Sequence, residues 1–161
     1  MIHNLIINAS PLIVLGKAGL MKLISPLAKS WVIPESVIEE VSKKSSIDVI
    51  LAQLSDCSEV SCQKVSAINP LVAGWNLGKG ESEVITLALG YSDYGVVLDD
   101  LQARKCAQIF NLPLIGTVGL LVKAKKEKLI DCVKPAFEKL VESGLYLDPQ
   151  LIKKILTSVG E

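Results

Sequence analysis

Polar side chains follow two of the most apolar segments of this chain. Asn8 comes directly after Leu5–Ile7, and Asp99 and Asp100 come directly after Val96–Leu98. In open parallel sheets, ligands collect beyond the carboxyl ends of the strands. Amide and carboxylate oxygens suit a hard divalent cation such as Mg²⁺ or Mn²⁺. Such a cation can activate water and stabilise charge on a phosphodiester, so these residues indicate a metal-assisted hydrolytic site.

A second acidic pair, Glu81 and Glu83, stands at the start of a predicted helix. Positions two apart on a helix differ in direction by about 200°, so both cannot face one site. If Gly80 is the N-cap, Glu83 occupies the third helical position and can reach back to the cap. Glu81 is then free to point elsewhere. We therefore predict Glu81 for chemistry and Glu83 for capping.

A third acidic pair, Glu39 and Glu40, lies in the helix that follows Pro34. With Val37, Ile38 and Val41 in the buried stripe, Glu40 lies nearer to the edge of that stripe than Glu39. Glu40 is therefore the better candidate for a cleft. A solvated pair of glutamates is the alternative.

The aspartates also have a structural interpretation. Either Asp99 or Asp100 can cap the helix that begins near Leu101. Asp100 and Arg104 are four residues apart and can form a helical ion pair worth a few tenths of a kcal/mol, about 0.3. Arg104 could instead meet a phosphate, and the sequence leaves these alternatives open.

The predicted elements alternate between strands and helices. Continuously apolar strands are typical of a parallel sheet that is covered on both faces. The pattern therefore predicts an α/β protein, a three-layer α/β/α sandwich with four or five parallel strands. The strands are expected at Leu5–Asn8, Trp31–Ile33, Val60–Val65, Gly95–Leu98 and Leu112–Ile115. One helix is expected to start at Ser10 as its N-cap, and two others are expected to follow Pro34 and Gly80. Further helices are expected at Leu20–Ala28, Ile47–Leu54, Leu101–Phe110, Val118–Lys126, Lys134–Ser143 and Gln150–Ser158. The segment 69–76 is expected to be irregular.

Length and composition bound the class of protein. The 161 residues suit a single domain, 1–161, with a helical tail from about residue 130. Seventeen basic and seventeen acidic residues cancel, so the chain is not a general nucleic-acid binder. Four lysines between Lys123 and Lys128 could hold phosphates, although a solvated face is the commoner meaning of such a run.

Several other features exclude classes of function. The lone histidine, His3, precedes the first strand and is expected to be incidental, so no Ser/His/Asp constellation competes with the acidic residues. No apolar segment approaches membrane-spanning length, so no membrane partner is expected. The cysteines have no metal-site spacing, and we interpret them as reduced, mostly buried thiols of a cytoplasmic protein. They are Cys57, Cys62, Cys106 and Cys132.

Taken together, these segments resemble the PIN domain family, in a branch related to the toxin ribonucleases of toxin–antitoxin pairs. The resemblance runs over nearly the whole chain and is fairly specific as an ordered set. It rests on "NASPLIVLGKAG", "VIPESVIEEV", "LGKGESEVITLAL", "VVLDDLQARKCAQIFNLPLIGTVGLLVKAK" and the helical tail.

The resemblance implies a metal-dependent endoribonuclease in which acidic residues surround one or two divalent ions. The catalytic positions fall on Asn8, Glu40, Glu81 and Asp100, and the metal ligands on Asn8, Glu81, Asp99 and Asp100. Ser10, Arg104 and Thr117 are expected to contact the substrate, and "GTVGLL" opens a helix near the same cleft. The expected cofactor is Mg²⁺ or Mn²⁺ and the expected substrate is RNA.

Asn8 departs from the family pattern, which has an aspartate there. An amide oxygen can ligate Mg²⁺, but it carries no charge and cannot accept a proton as a carboxylate does. Two main hypotheses follow: a ribonuclease with weakened metal binding, or a PIN-fold module that binds RNA or a protein without cutting. An unrelated α/β domain whose acids are caps and solvated pairs is the third.

The resemblance also implies partners. A toxin would be blocked by a small antitoxin protein over the acidic cleft, and PIN domains commonly form homodimers. The apolar helices Leu20–Ala28 and Gln150–Ser158 could supply a dimer surface or could be core.

Overall fold

A five-stranded parallel sheet forms the centre of the molecule in a computed structural model, which describes residues 4–161. The strand order is β3-β2-β1-β4-β5. The strands are β1 (Asn4–Ile7), β2 (Ser30–Pro34), β3 (Glu59–Gln63), β4 (Tyr94–Val97) and β5 (Leu114–Ile115). All four pairings are parallel. The predicted three-layer α/β/α sandwich is confirmed.

Helices connect the strands and cover the sheet. They are α1 (Ala9–Lys17), α2 (Met21–Ile24), α3 (Glu35–Lys44), α4 (Ile47–Leu54), α5 (Pro70–Ala73), α6 (Lys79–Leu89), α7 (Leu101–Ile109), α8 (Thr117–Lys126), α9 (Lys134–Glu142) and α10 (Pro149–Ser158), with a short 3₁₀ turn at Ser25–Leu27. In the part of the chain that the structure describes, none of these helices combines the length and apolar character needed to cross a membrane.

The central strand explains where the polar residues meet. Strand β1 lies between β2 and β4, with Leu5 opposite Trp31 on one side and Gly95 on the other. Its residues Leu5–Ile7 are buried, because helices cover both faces of the sheet. Since all strands run the same way, the residues that follow β1, β2 and β4 emerge at one edge, here called the carboxyl edge.

Several predicted boundaries were wrong, and three of these errors have a local reason. Helix α1 is preceded by Asn8, not by Ser10, because the extended backbone of Asn8 already ends the strand and begins the helix. The predicted helix Leu20–Ala28 is shorter and passes into the 3₁₀ turn that contains Pro26. The segment 69–76 is not irregular throughout, because the Asn69 side chain accepts the Leu71 N–H and caps α5.

Burial also corrects the interpretation of the cysteines. Cys106 is buried, but Cys57, Cys62 and Cys132 are exposed, because they lie in loops or on the edge strand β3. The predicted mostly buried thiols are therefore wrong.

The two apolar segments proposed for a dimer surface differ from each other. Leu20, Met21, Ile24 and Leu27 are buried, so that segment is core. Helix α10 has no fully buried residue, and its apolar side chains are packed only partly against the core.

Candidate functional site

The candidate site begins at Asn8, at the carboxyl end of β1. Its backbone N–H donates to the carbonyl of Val97, 3.2 Å away, so the ends of β1 and β4 are joined. Its side chain is only 2% exposed. The amide Nδ2 donates to Glu81 Oε1 at 3.1 Å, whereas Asn8 Oδ1 has no hydrogen-bond partner. An ionised carboxylate can only accept, so this bond fixes which side of the amide faces Glu81.

The unpartnered Asn8 oxygen faces the small space above Gly80. A Cβ added at Gly80 would lie 2.9 Å from Asn8 Oδ1 and 3.6 Å from Glu40 Oε2. Glu40 therefore turns toward Asn8, as the helix geometry predicted, while its other oxygen lies 3.8 Å from the ammonium of Lys44. The absence of a side chain at Gly80 is what leaves this space open.

Glu81 reaches the site by a different route from the one we predicted. Helix α6 is capped by Gly78 rather than Gly80, so Glu81 occupies the third helical position. This is the position from which a glutamate turns back toward the cap. A Cβ at Gly78 would collide with Glu81 Oε2, so the glycine permits this close approach. The predicted division of roles between Glu81 and Glu83 was therefore based on the wrong cap.

Glu83 lies buried beside the first turn of α3. It is 4% exposed and lines the same cavity as Ser36, and the cap residue of α3, Pro34, provides no side-chain bond. Its Oε2 has no partner. Burial raises the pKa of Glu83, and the nearby Lys79 ammonium opposes that rise. No sequence signal pointed to this contact, because Glu83 and Ser36 are far apart in the chain.

Asp99 holds the start of α8 at the end of β4. It accepts from the backbone N–H of Thr117 at 2.8 Å and also from the Thr117 hydroxyl. Gly116 makes room, since a Cβ there would lie 3.0 Å from Asp99 Oδ1 and 2.8 Å from Arg104 Nη1. Thr117 is fully buried, so its polar groups serve Asp99 in this structure.

Asp100 is the exposed N-cap of α7, and its Oδ1 accepts the Ala103 N–H at 2.9 Å. The predicted ion pair with Arg104 is absent from the described residues, because Arg104 turns back and donates to the carbonyl of Leu98 at 2.9 Å. Ser10 is the second residue of α1 and is exposed. At the carboxyl edge, Asn8 is thus bonded to Glu81, and Asp99 is bonded to Thr117.

The oxygen atoms around Asn8 fit a cation that is held by only a few protein ligands. Among residues 4–161, no group of three or more His, Cys, Asp or Glu side chains could hold a metal ion. Mg²⁺ nevertheless often binds through one or two carboxylates and keeps several waters. A buried acceptor without a partner is costly, so Asn8 Oδ1 favours a ligand with positive charge or a donor. Asn8 Oδ1 and Glu81, with Glu40 beside them, meet this description.

The comparisons with known proteins agree with this geometry. A family model described as "DUF3368: PIN domain" matches residues 4–161. One similar solved structure is a PilT N-terminus domain protein from the hyperthermophilic archaeon Sulfolobus solfataricus P2, with a TM-score of 0.55 and 22% identity. The match covers 75% of this chain and 92% of that protein. No curated protein matches the chain.

The family match identifies this parallel sheet, with acidic and amide side chains along its carboxyl edge, as a nuclease-type fold. The chain belongs to the PIN domain family. The resemblance to the PIN family that was drawn from the sequence is therefore confirmed.

Proposed function

We propose that this protein is a divalent-metal-dependent endoribonuclease of PIN type whose metal affinity is weakened by Asn8. The observation that supports it is the buried, unpartnered Asn8 Oδ1, which faces the same space as Glu40 and lies beside Glu81. Membership of the PIN family supports RNA as the class of substrate. The cation would be Mg²⁺ or Mn²⁺, because the donors are all oxygens.

Each residue has a role that follows from its position. A bound Mg²⁺ or Mn²⁺ would neutralise phosphate charge and lower the pKa of water. Asn8 Oδ1 and Glu81 would hold that cation at the ends of β1 and α6. Glu40, which is exposed, can orient a water molecule or accept its proton. Asp100 lies on the same edge with one oxygen engaged in the α7 cap, and Asp99 positions Thr117 and α8.

The hydrogen bond between Asn8 and Glu81 favours a second candidate function. With an aspartate at position 8, two carboxylates would repel and require a cation. The amide instead gives Glu81 an internal partner at 3.1 Å, and Thr117 does the same for Asp99. The second candidate is a PIN-fold module that holds RNA or a protein without cutting.

The substitution Asn8→Asp distinguishes the two functions. It adds one charged ligand, so we expect Mn²⁺ affinity to rise about tenfold or more and RNA cleavage to increase in parallel. Isothermal titration calorimetry measures the first, and gel assays of a labelled single-stranded RNA measure the second. Asn111→Asp, an exposed loop position, is the matched control for the change in charge.

The wild-type result decides which candidate stands. Weak Mn²⁺ binding with slow, metal-dependent cleavage by the wild-type protein supports the ribonuclease. Cleavage that appears only in Asn8→Asp supports the non-cutting module. If neither form binds Mn²⁺ at millimolar concentration or cuts RNA in a metal-dependent way, the ribonuclease proposal fails.

A toxin role and a homodimer belong to the same proposal. PIN family membership supports both only in general terms. A small antitoxin would cover the carboxyl edge and bury Glu40, and the half-buried face of α10 is the better candidate for contact with a second copy. Sedimentation of the purified chain tests the dimer, and copurification of a small protein that abolishes cleavage tests the toxin role.

A further inference from the structure

A second cavity, here called the Glu83 cavity, lies beside the Asn8 site. It has a volume of about 450 Å³ and sits between the first turns of α3 and α6 and the segment 64–68 that follows β3. This volume falls within the range of about 300–1,000 Å³ that is typical of small-molecule sites. Its polar lining consists of Glu35, Ser36, Glu39, Lys64, Ser66, Lys79 and Glu83.

Two buried polar atoms in this cavity have no hydrogen-bond partner. They are Glu83 Oε2, on a residue that is 4% exposed, and the hydroxyl of Ser36, on a residue that is 8% exposed. Buried polar groups in native proteins are nearly always paired, and leaving one unpaired costs about 1–3 kcal/mol. The first atom accepts hydrogen bonds and the second can donate one. The cavity floor therefore suits a ligand that presents N–H donors next to an acceptor.

The rim of the cavity carries charges of both signs. Lys64 and Lys79 are exposed at its edge together with Glu35 and Glu39, whereas Glu83 lies on its buried floor. The two lysines are the groups at the rim that can hold an anion. A nucleotide satisfies both regions, because its base carries N–H donors and its phosphate carries negative charge.

We propose that the Glu83 cavity binds the base of one RNA nucleotide, with guanine as the preferred base and the phosphate near Lys64 and Lys79. Guanine alone among the four RNA bases presents two adjacent N–H donors, N1–H and N2–H, beside an acceptor, O6. The donors would face Glu83 Oε2, and the Ser36 hydroxyl would donate to O6. The inference rests on the proposed function, since an RNA strand lying along the carboxyl edge would pass from this cavity to the Asn8 site.

Binding of mononucleotides tests the inference without any cleavage assay. The wild-type protein is titrated with 5′-GMP, 5′-AMP, 5′-CMP and 5′-UMP in the presence of EDTA, and binding is followed by NMR chemical shifts. We expect 5′-GMP to bind at least about tenfold more tightly than the other three. Guanosine, which lacks the phosphate, is expected to bind more weakly than 5′-GMP, and Lys64→Gln is expected to reduce that difference.

Glu83→Gln tests the floor of the cavity. The glutamine side chain has nearly the same size and shape, but it carries no charge and has only one acceptor oxygen. We expect 5′-GMP affinity to fall about tenfold or more, while Glu138→Gln, an exposed carboxylate on α9, leaves it unchanged. Circular dichroism verifies the fold. If Glu83→Gln does not fold, the titrations of Lys64→Gln, which changes an exposed segment, decide the inference.

Any of three results would overturn the inference. They are equal affinity for all four nucleotides, no detectable 5′-GMP binding, and tighter binding of guanidinium than of 5′-GMP. RNA cleavage without 5′-GMP binding overturns the inference and leaves the ribonuclease proposal standing. Selective 5′-GMP binding by a protein that never cuts RNA supports the cavity and contradicts the ribonuclease.

Discussion

At the scale of single residues, the site depends on the space that two glycines leave open because they have no side chain. Gly80 gives Asn8 Oδ1 and Glu40 a shared space, and Gly78 lets Glu81 turn back along its own helix. Neither glycine has a positive φ, so close approach rather than backbone conformation explains them. In Asn8, Nδ2 has a hydrogen-bond partner and Oδ1 has none, which makes it the most informative side chain of the site.

The substitution Gly80→Ala tests this space. Its new methyl group would lie 2.9 Å from Asn8 Oδ1 and 3.3 Å from Val37 Cγ2. Alanine favours a helix by about 0.5–1 kcal/mol, so we expect the fold to survive while the space closes. In an Asn8→Asp background, Mn²⁺ affinity should fall about tenfold or more by calorimetry. Gly74→Ala, where the nearest atom is 3.8 Å away, is the control, and an unchanged affinity in Gly80→Ala would contradict this account.

At the scale of elements, a side chain from a distant segment caps a helix that lacks a cap of its own. Glu161 satisfies the first turn of α9, where it accepts from the Val133 N–H at 2.7 Å and the Lys134 N–H at 3.1 Å, and it also pairs with Lys125 at 2.5 Å. These contacts join the last residues of the chain to α8 and α9.

The Glu161 contacts predict a pH dependence of stability. The hydrogen bond from Lys125, followed by those from the Val133 and Lys134 backbones, lowers the pKa of Glu161 from its ordinary 4.5. A lowered pKa means that the folded state favours the ionised form, so this stabilisation is present above pH 4.5 and is lost as the pH falls through the folded-state pKa.

We therefore expect Glu161→Gln to lower the thermal unfolding temperature at pH 7, with a difference from wild type that shrinks below pH 4.5. Scanning calorimetry from pH 3 to 7 measures it. Glu142→Gln, an exposed carboxylate at the end of α9, should show no such trend. A Glu161→Gln effect that is the same at every pH would contradict the assignment.

At the scale of the whole molecule, acidic and basic residues balance, and the lysines differ in their distance from the candidate site. Helix α8 starts at the carboxyl edge and runs about 15 Å away from it, so its terminal lysines lie far from the candidate site. Lys123 is 3.7 Å from Glu127, and Lys125 is engaged by Glu161. This favours the interpretation of Lys123–Lys128 as a solvated, partly paired face, whereas Lys64 and Lys79 lie near the edge.

The charge distribution predicts weak salt dependence of RNA binding. With about two to four phosphate contacts, the slope of log K against log salt for single-stranded RNA should be about −1.4 to −2.8. Fluorescence anisotropy between about 50 and 200 mM KCl measures it. The double variant Lys64→Gln/Lys79→Gln should make the slope shallower by about 1.4. Lys126→Gln/Lys128→Gln should leave it unchanged, and the reverse result would place the RNA on α8.

The sequence by itself determined the sheet, the sequence of elements and the family. Long apolar runs between helical patterns can be covered only as a parallel sheet, and polar residues after those runs must emerge at one edge. Local geometry also placed Glu40 nearer than Glu39 to the cleft, because three residues of one helix suffice to define its buried stripe.

Only the tertiary structure decided which atoms are satisfied. Whether Asn8 donates to Glu81, whether Glu83 is buried beside α3, and whether Asp99 binds Thr117 depend on contacts between residues distant in the chain. The shift in the start of α6, from Gly80 to Gly78, changed the role of both glutamates, because capping depends on exact position. Sequence patterns determine the direction in which a side chain points from its own helix or strand. Its hydrogen-bond partners are determined by how helices and strands pack against one another.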